Sequence, residues 1–378
     1  MYLTFYTNNI RQQRNNLNYD NIMQDTTEAT VISYKCTIDT PQTEFNQLSQ
    51  KMRAHLLRVQ VGIDVAYNLL SPFKRTYTQE YTVFHIPKRS GGLRTIHAPN
   101  PEFKEALSKC KKTFETMIKC LPHDAAYAYI KNRSTTDALK KHQINQSKWY
   151  LKLDIKDFFP NCSPEFIYNQ LSQVFPFCYI TNGAYPTLAN KLKEIIKICC
   201  LDDGLPQGTP MSPLLTNLIM IPFDYKISQL LKRSTGNHYA YTRYADDILI
   251  SSKSDFNWHE IVNKIKEILE PQFTIKDEKT RYGSTAGRNW NLGLMVNKDN
   301  QITLGHKKKR LLHAMLNNFL KDFASAKHWS KEDTQVLQGQ LGYLYYVEPN
   351  YYHDMLNRYE TKYHINYKAA VKYILNNL

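Results

Sequence analysis

Two strand-forming arms meet at a pair of adjacent aspartates in HYAYTRYADDILISS, residues 238–252. β-Branched and aromatic residues on both sides favour extended backbone, and Ala245-Asp246-Asp247 supplies the turn between them. The segment predicts a β-hairpin with two carboxylates at its tip. A further strand is expected in WYLKLDIKDFFP, residues 149–160, where Leu151, Leu153 and Ile155 alternate with Tyr150, Lys152 and Asp154. That period buries the leucines and turns Asp154 to the other face, toward a cleft. Taken alone, an Asp-Asp pair at a turn is most often a solvated turn feature.

The remaining pattern mixes helices and strands, an α+β class. YTQEYTVFHIPKRSGGLRTIHAP, residues 77–99, reads as a basic hairpin turning at Ser90-Gly91-Gly92. Helices are expected over Phe45–Leu70, Pro101–Lys119 and Asn190–Cys200. Another should run through Met220, with Ser212 as its cap and Pro213 at the first helical position. From about Lys307 the pattern is mostly helical. No internal repeat or long linker interrupts the chain.

Composition narrows the class. Apolar residues make up 42% of the 378, yet no run nears the roughly 20 needed to span a membrane. The N-terminal MYLTFYTNNIRQQ lacks the basic and apolar regions of a secretory signal. A cytoplasmic protein without a membrane partner is the expectation. The seven cysteines form no CxxC pair and no zinc-spaced Cys/His alternation, which leaves buried or incidental thiols. A formal charge of +15 favours a polyanionic partner, and 27 tyrosines offer rings that stack on bases or fill a core.

Asp154, Asp246 and Asp247 suit one chemistry in particular. In-line nucleotidyl transfer uses two divalent ions, one activating the attacking hydroxyl and one neutralising the triphosphate and leaving pyrophosphate. Magnesium takes hard oxygen ligands in a near-octahedral shell, which carboxylates from separate strands can supply.

Tyr244-Ala245-Asp246-Asp247 resembles the YxDD box of reverse transcriptases, and other blocks follow that family's order. Upstream stand Ile86-Pro87-Lys88-Arg89 with Gly91-Gly92-Leu93-Arg94, then Asp154 to Phe158-Phe159-Pro160, then Leu205-Pro206-Gln207-Gly208-Thr209-Pro210. Asn291-Leu292-Gly293-Leu294 comes after, with a weaker match around Gly339 to Tyr346. The resemblance implies a right-hand polymerase. It divides into an N-terminal extension (1–75), fingers (76–145), a palm whose antiparallel sheet bears the aspartates (146–300) and a helical thumb (301–378).

Residue by residue, the resemblance gives Asp154, Asp246 and Asp247 to catalysis and metal binding, joined by the backbone carbonyl of Ile155. The ions are two Mg2+ per active site, with Mn2+ able to substitute. It implies nucleotide binding by Lys88, Arg94, Phe159, Gln207 and Lys279. Phe159 would wall off a 2′-hydroxyl, Lys279 would meet leaving pyrophosphate, and Gly208 would let backbone approach the substrate.

Lys307, Lys308, Lys309 and Arg310 open a helix with apolar Leu312, Met315, Phe319 and Leu320. Cations at a helix N-terminus cost on the order of 0.3–1 kcal/mol each, an unfavourable placement that template or primer phosphate would offset. These four are therefore nucleic-acid-binding candidates, beside the alternative of a solvated charge run.

The compact length, YADD and DIKDFFP resemble bacterial retron and phage-defence reverse transcriptases. Such enzymes copy a dedicated structured noncoding RNA into DNA, which implies template RNA, RNA–DNA product, dNTPs and an effector protein as partners. Two departures stand out. Asp137-Ala138-Leu139-Lys140-Lys141-His142 occupies the place of an NAxxH pattern, and Asn291-Leu292-Gly293-Leu294 that of VTG. Two other readings remain: a defence-associated polymerase making untemplated, repetitive or protein-primed DNA, and a non-catalytic RNA-binding scaffold.

Overall fold

A computed structural model of the chain describes residues 50–74, 80–87, 91–118, 122–233, 238–284 and 293–377. By its internal contacts the chain divides into two units, Met1–His123 with Phe159–Ile227 and Asp124–Phe158 with Ser228–Leu378.

In the first unit, β1 (Tyr81–Pro87) pairs antiparallel with β2 (Leu93–Pro99), Ile86 standing opposite Arg94. Gly91 and Gly92 both carry left-handed φ, 86° and 80°, which only glycine adopts without cost. The hairpin is largely exposed. Beside it, helices Gln50–Leu70, Pro101–Met117 and Pro186–Cys199 pack through Ile63, Phe103, Leu107, Phe114 and Leu192. The expected residues 45–49 of the first helix lie outside the described residues. Asn100 caps the second helix by accepting the Phe103 N–H, and Pro101 fits its first turn.

Ser212 is not the cap anticipated for the next helix. It is the first residue of Ser212–Ile219, and Thr209 Oγ1 accepts its N–H at 3.2 Å. Its own hydroxyl turns back to donate to the Pro206 carbonyl at 2.8 Å, so it braces the loop instead. A second helix, Ile221–Arg233, follows almost without a break. Cys110, Cys162, Cys199 and Cys200 are buried here without disulfides, and burial pushes the Cys110 thiol up to about 12. These are inert core thiols at neutral pH.

The second unit holds a four-stranded antiparallel sheet. β3 (Trp149–Asp154), β4 (Tyr239–Tyr244), β5 (Asp247–Ser252) and β6 (Arg281–Ser284) lie in the order β4-β5-β3-β6. β3 is central and buries Tyr150 as well as Leu151 and Leu153, so both its faces are covered. β7 (Leu294–Val296) and β8 (Ile302–Leu304) form a small separate ribbon. Four helices follow: His306–Ala324, Lys331–Val347, Pro349–Tyr363 and Tyr367–Asn377. They share one core through Leu312, Leu316, Phe319, Leu337, Leu341 and Ile374, with Met315 only half-buried against it.

The departure at residues 137–142 has a structural answer. Asp137 completes a capping box with Ser134, starting helix Thr135–Ile144, and His142 ends up fully buried against the sheet. Its Nδ1 lies 2.5 Å from Ser251 Oγ and its Nε2 2.8 Å from Thr242 Oγ1. Ser251 already donates to Ser147, so the ring donates from Nδ1 and accepts at Nε2, the neutral form. Burial first, then the Lys141 charge, push its pKa down to about 3.

A pH dependence follows. Above about pH 6.5 the ring is neutral folded or unfolded and contributes nothing to it. From there down to about 3 the unfolded chain takes a proton that the fold refuses, so stability falls as pH falls, by up to about 1.4 kcal/mol per unit. Thermal melts of wild type and His142→Asn at about pH 7 and about pH 5 check this. The loss on acidification should shrink in the variant, and equal losses would assign it elsewhere.

Candidate active site

The register of β3 on β5 sets Asp154 directly opposite Asp247, and β4 and β5 close through Ala245-Asp246 with Tyr244 opposite Asp247. Ala245 holds φ 56°, a left-handed conformation that an L-residue adopts only when its surroundings impose it. Arg243 does so. Its guanidinium, buried with the residue at 1% exposure, donates to the Ala245 carbonyl at 3.2 Å. Its backbone is fixed by the Ala125 carbonyl and the Tyr127 N–H, 2.6 and 2.9 Å away. The Ile155 N–H donates to the Asp246 carbonyl at 3.0 Å, tying the hairpin tip to the end of β3.

Three lysines pair with two of the three aspartates. Lys152 Nζ stands 2.9 Å from Asp247 Oδ2, Lys276 Nζ 3.0 Å from Asp154 Oδ1, and Lys279 Nζ 3.1 Å from Asp154 Oδ2. Burial, then the charges of Asp247 and Asp154, push the Asp246 carboxyl above its ordinary range. Burial works against the Lys276 charge, but the hydrogen bond to Asp154 and the charges of Asp154, Asp157 and Asp246 together outweigh it, so the ammonium is held more firmly than usual. Among the described residues no three His, Cys, Asp or Glu side chains are gathered to hold a metal as they stand. Lysines engage both oxygens of Asp154 and one of Asp247. In donor chemistry the residues fit magnesium. All three are hard carboxylates, and Asp246, pushed up by burial and then by the charges of Asp247 and Asp154, is a carboxyl whose ionised form a cation would stabilise.

The other anticipated residues divide between the units. Lys279 joins the aspartates in the second. In the first, Arg94 is exposed on β2, while Lys88, like Ser90, Asn291 and Leu292, lies outside the described residues. Gln207 is half-buried, and its carbonyl accepts the His97 N–H of β2 at 2.8 Å. Gly208, at φ 116°, comes so near β2 that an added Cβ would lie 3.0 Å from the His97 carbonyl oxygen. Its close approach in this structure is to the hairpin. Phe159 is half-buried, with its carbonyl accepting the N–H groups of Cys162 and Leu205 at 3.1 and 3.0 Å. Its neighbour Phe158 is the core residue, 3% exposed and packed on Phe273.

The basic cluster is only partly free. Lys309 pairs with Glu348 at 2.6 Å and lies over the Tyr351 ring, and Lys308 bonds Gln340; Lys307 and Arg310 are exposed. Glu348 also accepts the Leu304 N–H at 2.7 Å, which sets its carboxylate near the start of the helix. An internal acid therefore offsets the Lys309 cation and weakens the dipole argument for a docked phosphate there, while Lys308 is held by the neutral Gln340 amide. Sequence reasoning also missed Arg243, Lys152 and Lys276. An arginine amid strand residues and a lysine on the same strand face as Asp154 were signals for two of them. Nothing in the sequence pointed to Lys276.

The sheet thus sets Asp154 at the end of β3 opposite Asp247 of β5, with Asp246 in the β4–β5 turn beside them. The family described as reverse transcriptase (RNA-dependent DNA polymerase) matches residues 86–329, and the chain belongs to it. The retron Ec73 reverse transcriptase of Escherichia coli is 32% identical over 302 residues, 77% of this chain and 88% of that protein. Retron Ec83 reverse transcriptase, also from Escherichia coli, is 29% identical over 296 residues, covering 75% and 86%. Among solved structures, a telomerase from Candida albicans in complex with a fragment of telomeric RNA aligns at TM-score 0.46 and 13% identity, covering 81% of this chain and 59% of that one. The protein is a reverse transcriptase of the retron type, an RNA-directed DNA polymerase. Among the described residues no helix is long and apolar enough to cross a membrane.

Proposed function

We propose that this enzyme copies a dedicated structured noncoding RNA into DNA by two-metal nucleotidyl transfer, within a retron or antiphage defence system that includes an effector protein. The observation that carries the chemistry is the pairing of Asp154 with Asp247 across β3 and β5, with Asp246 in the turn beside them. Asp154, Asp246, Asp247 and the Ile155 carbonyl are the proposed metal ligands. Bound Mg2+, or Mn2+ in its place, would supply hydroxyl activation and charge neutralisation. The chain's own groups hold the reactants: Lys88 and Arg94 grip the triphosphate, Gln207 and Phe159 shape the nucleotide pocket, and Lys279 steadies the leaving pyrophosphate. Lys307 and Arg310 are the members of the basic cluster proposed to meet nucleic acid. The proposed division remains fingers over 76–145, palm over 146–300 and thumb over 301–378, after an N-terminal extension.

The test is to purify the chain and sequence its copurifying nucleic acid after RNase and DNase controls. One RNA species with complementary DNA attached is the expected result. Repetitive or template-free DNA would favour the protein-primed or untemplated reading, and bound RNA without dNTP incorporation would favour the scaffold.

A further inference from the structure

Asp154 carries two ammonium groups on one carboxylate, and they are not equivalent. The Lys279 side chain is 45% exposed, as a solvated partner would be, whereas that of Lys276 is only 20% exposed. The backbone of Lys276 is also locked beside its partner. Its N–H donates to the Asp154 carbonyl at 2.8 Å, and the Lys156 N–H reaches the Thr274 carbonyl at the same distance. Together these make an isolated bridge between Ile155 and Ile275. The acids whose charges act on Lys276 are Asp154, Asp157 and Asp246. Its backbone is therefore fixed by this bridge at the end of β3, and its ammonium is paired with Asp154.

An ammonium and a divalent cation use the same carboxylate lone pairs, and like charges repel strongly in a half-buried site. We propose that Lys276 is the resident counter-cation of Asp154, a positioning residue whose ammonium a divalent cation must displace to bind there. It holds Asp154 in place and balances its charge without metal, and it raises the metal concentration the enzyme demands. This rests on the reading of the three aspartates as metal-holding residues. A mere brace for Asp154 would act in the opposite sense, since its loss would weaken metal binding.

The test measures Mn2+ binding to the full chain without nucleotide or RNA, from the electron paramagnetic resonance signal of the free ion. Lys276→Met is expected to tighten Mn2+ binding by about tenfold, and Lys276→Arg, which keeps the charge, to stay within about threefold of wild type. Equal or weaker binding in Lys276→Met, including no binding in either protein, overturns the proposal. Circular dichroism checks the fold, and Lys276→Gln takes the place of the methionine variant should that one fail to fold. Asp246→Asn separates the two claims. If it binds Mn2+ as wild type does, the metal-site reading itself falls; if it loses binding while Lys276→Met matches wild type, only the counter-cation proposal falls.

Discussion

Asp246→Asn is expected to abolish magnesium-dependent DNA synthesis, lowering kcat/KM by at least about a thousandfold, or roughly 4 kcal/mol of transition-state stabilisation. The change removes one negative charge at nearly constant volume. Its effect on the fold runs the other way. Burial and the neighbouring Asp247 and Asp154 push the Asp246 carboxyl up, so the folded state resists its ionisation. A raised carboxylate pKa means that the charge at neutral pH costs stability, and a neutral amide removes that cost. The variant should therefore melt at or above the wild-type temperature in metal-free buffer while its activity disappears. Primer extension on an RNA template, paired with thermal melts, reads both quantities. Retained turnover in a folded Asp246→Asn protein would sink the assignment of the site.

Phe159→Ala is expected to raise use of ribonucleotides relative to deoxynucleotides by at least about tenfold, equivalent to roughly 1.4 kcal/mol of discrimination. A ribonucleotide differs by one hydroxyl. An aromatic wall rejects it by clash and by denying that hydroxyl a hydrogen-bond partner after desolvation. The rival account makes the phenylalanine a core residue, whose loss would depress both activities together. Two details weigh against that account. Phe158 is the deeply buried member of the pair, and Phe159 is half-buried with its backbone tied to the Leu201–Leu205 turn. Gly204 helps seat that turn, since a Cβ there would collide with the Pro160 carbonyl. The ratio of kcat/KM for paired substrates on one template decides, and an unchanged ratio removes Phe159 from the site.

What the sequence determined by itself was local or linear. Alternation in 149–155 gave a strand, the Tyr244–Asp247 box gave a tip with its acids, and the ordered blocks gave the family. Each depends on neighbouring residues or on spacing, which the chain carries without folding. Helix ends were less legible, because Thr209 took the Ser212 N–H and freed the serine to brace its loop. Only the tertiary structure decided which charges meet. Lys276 is 122 positions beyond Asp154 (276 − 154), and an isolated bridge between Ile155 and Ile275 brings them to 3.0 Å. Glu348 reaches Lys309 across two helices and turns a candidate phosphate site into an internal ion pair. Arg243 likewise disappears into the interior to hold a strained alanine. Long side chains choose partners by proximity in the folded state and by the cost of leaving a buried charge unpaired, and neither is written in the order of residues.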